Sequence, residues 1–163
     1  FLNFILIRKL SVLNKNFKHN QFEFEKNCLV IFGSIYGIDI IEDNVKSARE
    51  RLFKTFLKVY HQNFKDSYNK FLIKSVKFIL KKNIVYGDAI SLKKPDSDIP
   101  IIFSEWAMIN YKLKRREFTF KDLVAYSPFE DGSLFSDLGD EINIAKQHKD
   151  YPLVDFDRAF EAC

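Results

Sequence analysis

Leu2, Ile5, Leu6, Leu10, Leu13 and Phe17 lie mostly three and four positions apart. That spacing puts side chains on one helix face, so residues 2–18 are predicted to form an amphipathic helix. Phe22, Phe24, Leu29, Val30 and Phe32 continue as a shorter helix or turn, punctuated by Gly33 and Ser34. From Ile35 to Ile41 the chain is apolar, β-branched and aromatic, with Asp39 as its acid. This predicts a short buried strand, of the kind found in parallel sheets, with Asp39 near its end. Asp43 is placed to cap the next helix, which runs to about Asn63 with Val45, Ala48, Leu52, Phe56, Val59 and Tyr60 on one stripe. A second helix over 67–82 turns Tyr68, Phe71, Leu72, Val76, Ile79 and Leu80 inward. Ile84 to Tyr86 reads as another strand, closed by Gly87-Asp88.

Residues 91–98 are polar and predict a loop. A strand pair follows, Ile99–Trp106 and Met108–Phe118. Thr119 with Asp122 marks the start of a short helix over Thr119–Tyr126. From Ser127 to Asp140 the residues are rich in Gly, Ser, Pro and Asp, which predicts a long loop. Beyond it the periodicity is weak. Two apolar strands joined through helices predict an α/β fold with a right-handed crossover in a parallel sheet. The change of pattern divides the chain into 1–98 and a C-terminal extension, 99–163.

Composition narrows the class. A chain of 163 residues, 47% hydrophobic with 18 Phe, is too apolar to be disordered and long enough for one core. The net charge of +4 permits a polyanionic partner without demanding one. Cys28 and Cys163 form no CxxC, so neither a zinc site nor a redox pair is supported, and two free thiols fit the cytoplasm. No apolar run approaches the ~20 residues that span a bilayer. The opening FLNFILIRKL is apolar and then basic, the reverse of a signal peptide, and it starts with Phe rather than Met, so the chain is expected to be a fragment. No membrane, metal or catalytic triad is expected: His19, His61 and His148 are scattered, and no nucleophile elbow is present.

Ligands of open parallel sheets bind at the carboxyl ends of strands, and Asp39 and Asp88 stand at two such ends. One carboxylate can accept both hydroxyls of a ribose diol, and the other an exocyclic adenine amine. The segment SIYGIDIIEDNVKSARERL, residues 34–52, resembles the second conserved region of class I S-adenosylmethionine-dependent methyltransferases. It is similar in particular to adenine-specific DNA methyltransferases of bacterial restriction–modification systems. NIVYGDAI, residues 83–90, resembles their third region, and NFILIRKL the helix after their glycine-rich loop. PIIFSEWAMI and KRREFTF also resemble segments of that group, with no role assigned. The resemblance implies a partial Rossmann-like class I methyltransferase sheet with flanking helices and a mixed C-terminal extension. It implies S-adenosyl-L-methionine as cofactor, with Asp39 on the ribose hydroxyls, Ile40 on the adenine face, Asp88 on the adenine amino group and Ala89 lining the pocket. It implies DNA as partner, and a complementary methyltransferase subunit or segment.

Two parts of that family pattern are missing here. No glycine-rich loop precedes the first helix. The catalytic tetrapeptide, Asn or Asp followed by Pro-Pro and an aromatic, is absent, because Pro95, Pro100, Pro128 and Pro152 are never adjacent. That tetrapeptide holds the flipped adenine. No catalytic residue is therefore assigned, and the chain alone is expected to be inactive. Lys114, Arg115 and Arg116, with Lys112 and beside Tyr111 and Phe118, are the candidate DNA-phosphate contacts, against the alternative of a solvated charged face. Trp106 could stack on a base, but a core tryptophan is the ordinary role of such a residue. Two other classes stay open: a non-enzymatic DNA-binding or assembly module, and a nicotinamide dinucleotide enzyme using Asp39 on its ribose. No GxGxxG supports the latter.

Overall fold

The computed structural model describes residues 1–125 and 147–163. The loop expected over Ser127–Asp140 lies outside them. Four helices carry most of the core: α1 (Leu2–Phe17), α2 (Gln21–Gly33), α3 (Glu42–Phe64) and α4 (Lys70–Asn83). Strand β1 (Gly37–Asp39) falls between α2 and α3, and β2 (Ile84–Tyr86) follows α4. The described C-terminal part holds β3 (Ile102–Ile109), β4 (Lys112–Thr119), α5 (Phe120–Ala125), β5 (Lys149–Asp150), β6 (Val154–Asp155) and a 3-10 helix, Phe156–Glu161. The result is a mixed α/β fold, dominated by helix, with two small sheets among the described residues.

The helices form where the apolar spacing placed them. Leu6, Leu10 and Leu13 of α1 are buried, as are Val45, Leu52, Phe56, Tyr60 and Phe64 of α3. In α2, Phe24, Cys28, Leu29 and Phe32 line the inner face, and Asn20 caps its start by accepting from the Glu23 N–H at 3.1 Å. This segment is a full helix rather than a turn. Asn69 caps α4, accepting from the N–H groups of Phe71 (2.9 Å) and Leu72 (3.3 Å). Rings stack along the α3 face: Phe56 on Tyr60 at 5.3 Å, with Phe32 meeting Phe56 edge-on at 5.6 Å.

Several details depart from the sequence reading. Asp43 is not an N-cap: Ile41 holds that position, and no side chain caps α3. Asp43 and Glu42 sit in the first turn, where their charge still suits the helix dipole. Tyr68 and Phe71 do not point inward. They are 44% and 41% exposed, because the capped helix begins only at Lys70 and turns its Leu72–Val76–Ile79 face to the core. The strand expected from Ile35 to Ile41 is three residues long, with Ile35 buried before it and Ile40 and Ile41 exposed beyond it.

β1 and β2 pair in parallel, with Gly37 opposite Ile84, Ile38 opposite Val85 and Asp39 opposite Tyr86. β3 and β4 pair antiparallel from Ile102↔Thr119 to Ile109↔Lys112. The hairpin turns at Asn110-Tyr111 rather than at Ala107, which lies within β3 opposite Lys114. Both turn residues have positive φ, 46° and 63°, as a two-residue turn matching strand twist requires, and Asn adopts that conformation readily. Thr119 and Asp122 do form the expected helix start, the Asp122 N–H donating to Thr119 Oγ1 at 3.1 Å. Leu113 of β4 and Ala159 of the 3-10 helix lie in the same hydrophobic core as α1–α4. Residues on both sides of the 98/99 boundary thus contribute to one core.

Candidate functional site

The parallel pairing brings the carboxyl ends of β1 and β2 side by side. The Gly87 N–H donates to the Asp39 carbonyl at 3.1 Å, tying the turn after β2 to the end of β1. Asp39 and Asp88 then repeat one local device. Asp39 Oδ1 accepts from the Ile41 N–H at 2.8 Å, and Asp88 Oδ1 accepts from the Ile90 N–H at 2.9 Å. Each carboxylate thereby closes a turn over the two residues that follow it. Asn44 Nδ2 also donates to Asp39 Oδ2 at 3.1 Å. The Ile90 N–H, followed by the Ser91 hydroxyl, holds the Asp88 carboxyl below the usual carboxylate range.

A carboxylate offers about four lone-pair sites, so these bonds leave each acid with acceptor capacity. Both acids are half-buried, and their neighbours are apolar and exposed. Ile40 is 57% exposed, Ile90 is 94% exposed, and Ala89 is also exposed. Each acid is therefore an acceptor beside an exposed isoleucine, Ile40 after Asp39 and Ile90 two residues after Asp88. A cavity of about 280 Å³ opens beside Asp39, lined also by Leu2, Asn44 and Arg51. Gly87 is required where it stands: a Cβ there would collide with Ile101 Cδ1 and lie 2.7 Å from its Cγ1. Of the four residues named for the adenosine end, Asp39 lines this cavity, while Ile40, Asp88 and Ala89 lie outside its lining.

The basic run on β4 divides: Arg115 is withdrawn from solvent, and Lys114 and Arg116 sit in surface ion pairs. Arg115 is 1% exposed and faces inward. Its Nε donates to Ser104 Oγ at 2.9 Å, its Nη1 to the Ala162 carbonyl at 2.5 Å and its Nη2 to Glu117, while the guanidinium lies 4.1 Å from the Tyr151 ring centroid. Arg115 is a structural cation, and its assignment as a DNA contact is corrected. Lys114 is taken up by Asp150 and the Tyr151 carbonyl, both at 2.7 Å, and Arg116 by Glu105 at 3.0 Å.

Trp106 is packed in place. Its Nε1–H donates to Asn83 Oδ1 at 3.0 Å and its ring meets Phe78 edge-on. Cys28 is buried and Cys163 exposed, both unpaired, and burial pushes the Cys28 thiol up. Among the described residues no group of three His, Cys, Asp or Glu is placed to hold a metal ion, and no helix is long and apolar enough to cross a membrane. The residues that sequence reasoning missed are Arg49, Lys81, Lys82 and Lys94. They line one cavity from three separate elements, and only their tertiary placement reveals them.

Compared with family models, curated proteins and solved structures, the chain matches none of them.

Proposed function

We propose that the chain carries the adenosine-holding part of an S-adenosylmethionine-dependent, adenine-specific DNA methyltransferase of the restriction–modification type. The observation that carries this reading is the parallel β1–β2 pair, which sets Asp39 and Asp88 on adjacent strand ends. Strand ends of parallel sheets are where nucleotide-like ligands dock. The finer fold assignment, a partial Rossmann-like methyltransferase sheet, belongs to the same proposal and rests on the same pair. Asp39 accepts from the ribose diol, Ile40 packs on the adenine face, Asp88 accepts from the adenine amino group and Ala89 lines the pocket. The cofactor supplies the methyl group. These residues bind and orient its adenosine end. A complementary subunit or segment supplies the methionine-holding loop and the base-holding tetrapeptide, DNA is the substrate, and the setting is cytoplasmic.

The test is equilibrium dialysis of the 163-residue chain with labelled S-adenosylhomocysteine. Weak binding is expected. Each hydrogen bond to a carboxylate contributes about 1.5–3 kcal/mol, so Asp39→Ala should weaken binding by ~10–100-fold. Asp39→Asn, which can keep the bond from Ile41, should leave thermal stability unchanged and still weaken binding. No binding by a folded chain, or displacement by a nicotinamide dinucleotide as effective as by S-adenosylmethionine, overturns the proposal. With labelled S-adenosylmethionine and bulk DNA this chain should transfer no methyl groups. Clear incorporation would refute the division of labour between subunits.

A further inference from the structure

Between the outer edge of β2 and the β3–β4 hairpin lies a cavity of about 370 Å³. Arg49 reaches it from α3, Lys81 and Lys82 from the last turn of α4, and Lys94 from the loop after Asp88. Val85, Tyr86 and Ile102 form an apolar wall. Among the described residues none of the four cations is paired with a carboxylate. The acid in the lining, Glu117, is engaged by Arg115.

Lysines in the last turn of a helix commonly just answer its dipole. Here Arg49 takes part of that role. It donates to the Lys81 carbonyl in the last turn of α4 at 3.1 Å, and to the Ile84 carbonyl at the start of β2 through Nε (2.8 Å) and Nη2 (2.6 Å). Lys81 and Lys94 are exposed, and Lys94 lies outside the helix, so its charge is not explained by the helix end. Lys82 is partly buried, and desolvation, together with the nearby Arg115 charge, lowers its pKa. An anion in the cavity would relieve that penalty.

Cations converging from three elements suit a tetrahedral, multiply charged oxyanion better than a planar carboxylate, which pairs best with a single forked guanidinium. The apolar wall leaves room for the carbon skeleton such an anion is attached to. We propose that this cavity binds a phosphate group, carried on a nucleic-acid backbone or on a small phosphate ester. The site goes beyond the cofactor reading, since it uses neither Asp39 nor Asp88. It also relocates the basic surface from β4 to the outer edge of β2.

The experiment uses the whole chain and the double variant Lys81→Ala/Lys94→Ala, whose side chains make no hydrogen bond or ion pair among the described residues. The first probe is a short fluorescein-labelled DNA duplex, followed by anisotropy across a potassium chloride series. The second is inorganic phosphate and glycerol 3-phosphate, followed by calorimetry at low ionic strength. The variant should bind the duplex about tenfold more weakly, and its log–log salt slope should flatten by roughly 0.9 for each phosphate that is no longer neutralised. Lys114→Ala/Arg116→Ala should change neither. Variant loss confined to the small phosphates assigns the site to a free ester and overturns the nucleic-acid source. Wild-type binding of both probes by a folded Lys81→Ala/Lys94→Ala chain, equal loss in the Lys114→Ala/Arg116→Ala control, or no binding of either probe by the wild type, overturns the proposal. S-adenosylhomocysteine binding by Lys81→Ala/Lys94→Ala should match the wild type, which keeps this result separate from the cofactor reading.

Discussion

Replacing Arg115 by alanine removes a buried guanidinium that joins β3, β4 and the residues after the 3-10 helix. Two of its hydrogen bonds go to neutral oxygens, Ser104 Oγ at 2.9 Å and the Ala162 carbonyl at 2.5 Å. Bonds to a charged group contribute about 1.5–3 kcal/mol each, which sets a ceiling of ~6 kcal/mol for the pair. The third partner, Glu117, is 12% exposed and would be left as an uncompensated carboxylate with partial access to water. Removing one member of a buried ion pair typically costs about 3–5 kcal/mol, and the missing packing against Tyr151 argues for the upper half of that range. For a chain of this size, that destabilisation lowers the melting temperature by ~6–20 °C. Chemical denaturation of Arg115→Ala measures it. The double variant Arg115→Met/Glu117→Gln, which takes away both charges and keeps the volume, should recover most of the stability. A single variant destabilised by less than ~1 kcal/mol, or a double variant no better than the single, would refute a structural role for Arg115.

Two further outcomes follow from the strand-end turns. Gly87→Ala forces a Cβ against Ile101, which is itself buried, and should cost about 1–3 kcal/mol by denaturation. Combined with Ile101→Val, which removes the nearest atom, the effect should be less than additive. A Gly87→Ala chain as stable as the wild type contradicts the packing described. The Asp88 carboxyl, held down chiefly by the Ile90 N–H, should titrate below 3.8 when followed by NMR. Its folded value is depressed, so its contribution to stability is fully present above 3.8 and fades as pH falls through the folded value. Asp88→Asn should flatten the acid limb of the stability profile, and a folded pKa at or above 3.8 would exclude the turn as its cause.

The helices were legible because burial follows a period of three to four. Leu6, Leu10 and Leu13 share a face, and so do Leu52, Phe56 and Tyr60, whatever surrounds them. The period failed where apolar residues are not selected for one face. Phe22 to Phe32 is so rich in apolar side chains that the pattern left a shorter helix and a turn both open, where the structure has a full helix. Tyr68 and Phe71 are apolar enough to seem internal, yet Asn69 starts the helix between them and sets its orientation. The hairpin turn was missed because Asn110-Tyr111 lacks the glycine that usually follows Asn in such turns. Arg115 was misread as part of a linear basic run. Strand alternation places it two residues from Leu113, on the inward side, and that period of two was the available signal. The cavity cations gave no signal of this kind. Arg49 and Lys94 come together only because α3, α4 and β2 fold back on one another.

The strand-end acids have a local explanation, and the proposed ligand-binding role is compatible with it. Asp39 and Asp88 each accept from the N–H two residues on, which would account for an aspartate at either position without any ligand. A turn alone does not need its following side chains to be apolar and outward. Water-facing isoleucine at 40, 41 and 90 carries a hydration cost that a purely structural turn could avoid with polar residues. Nor does a turn require two such devices on adjacent parallel strands, tied by the Gly87–Asp39 bond. The local bond fixes each carboxylate's orientation in advance, which on the proposed reading lowers the ordering cost of binding a diol or amine. On the proposed reading, turn formation and ligand acceptance are two uses of one carboxylate, and replacing Asp39 by asparagine separates them by keeping the turn and removing the charge.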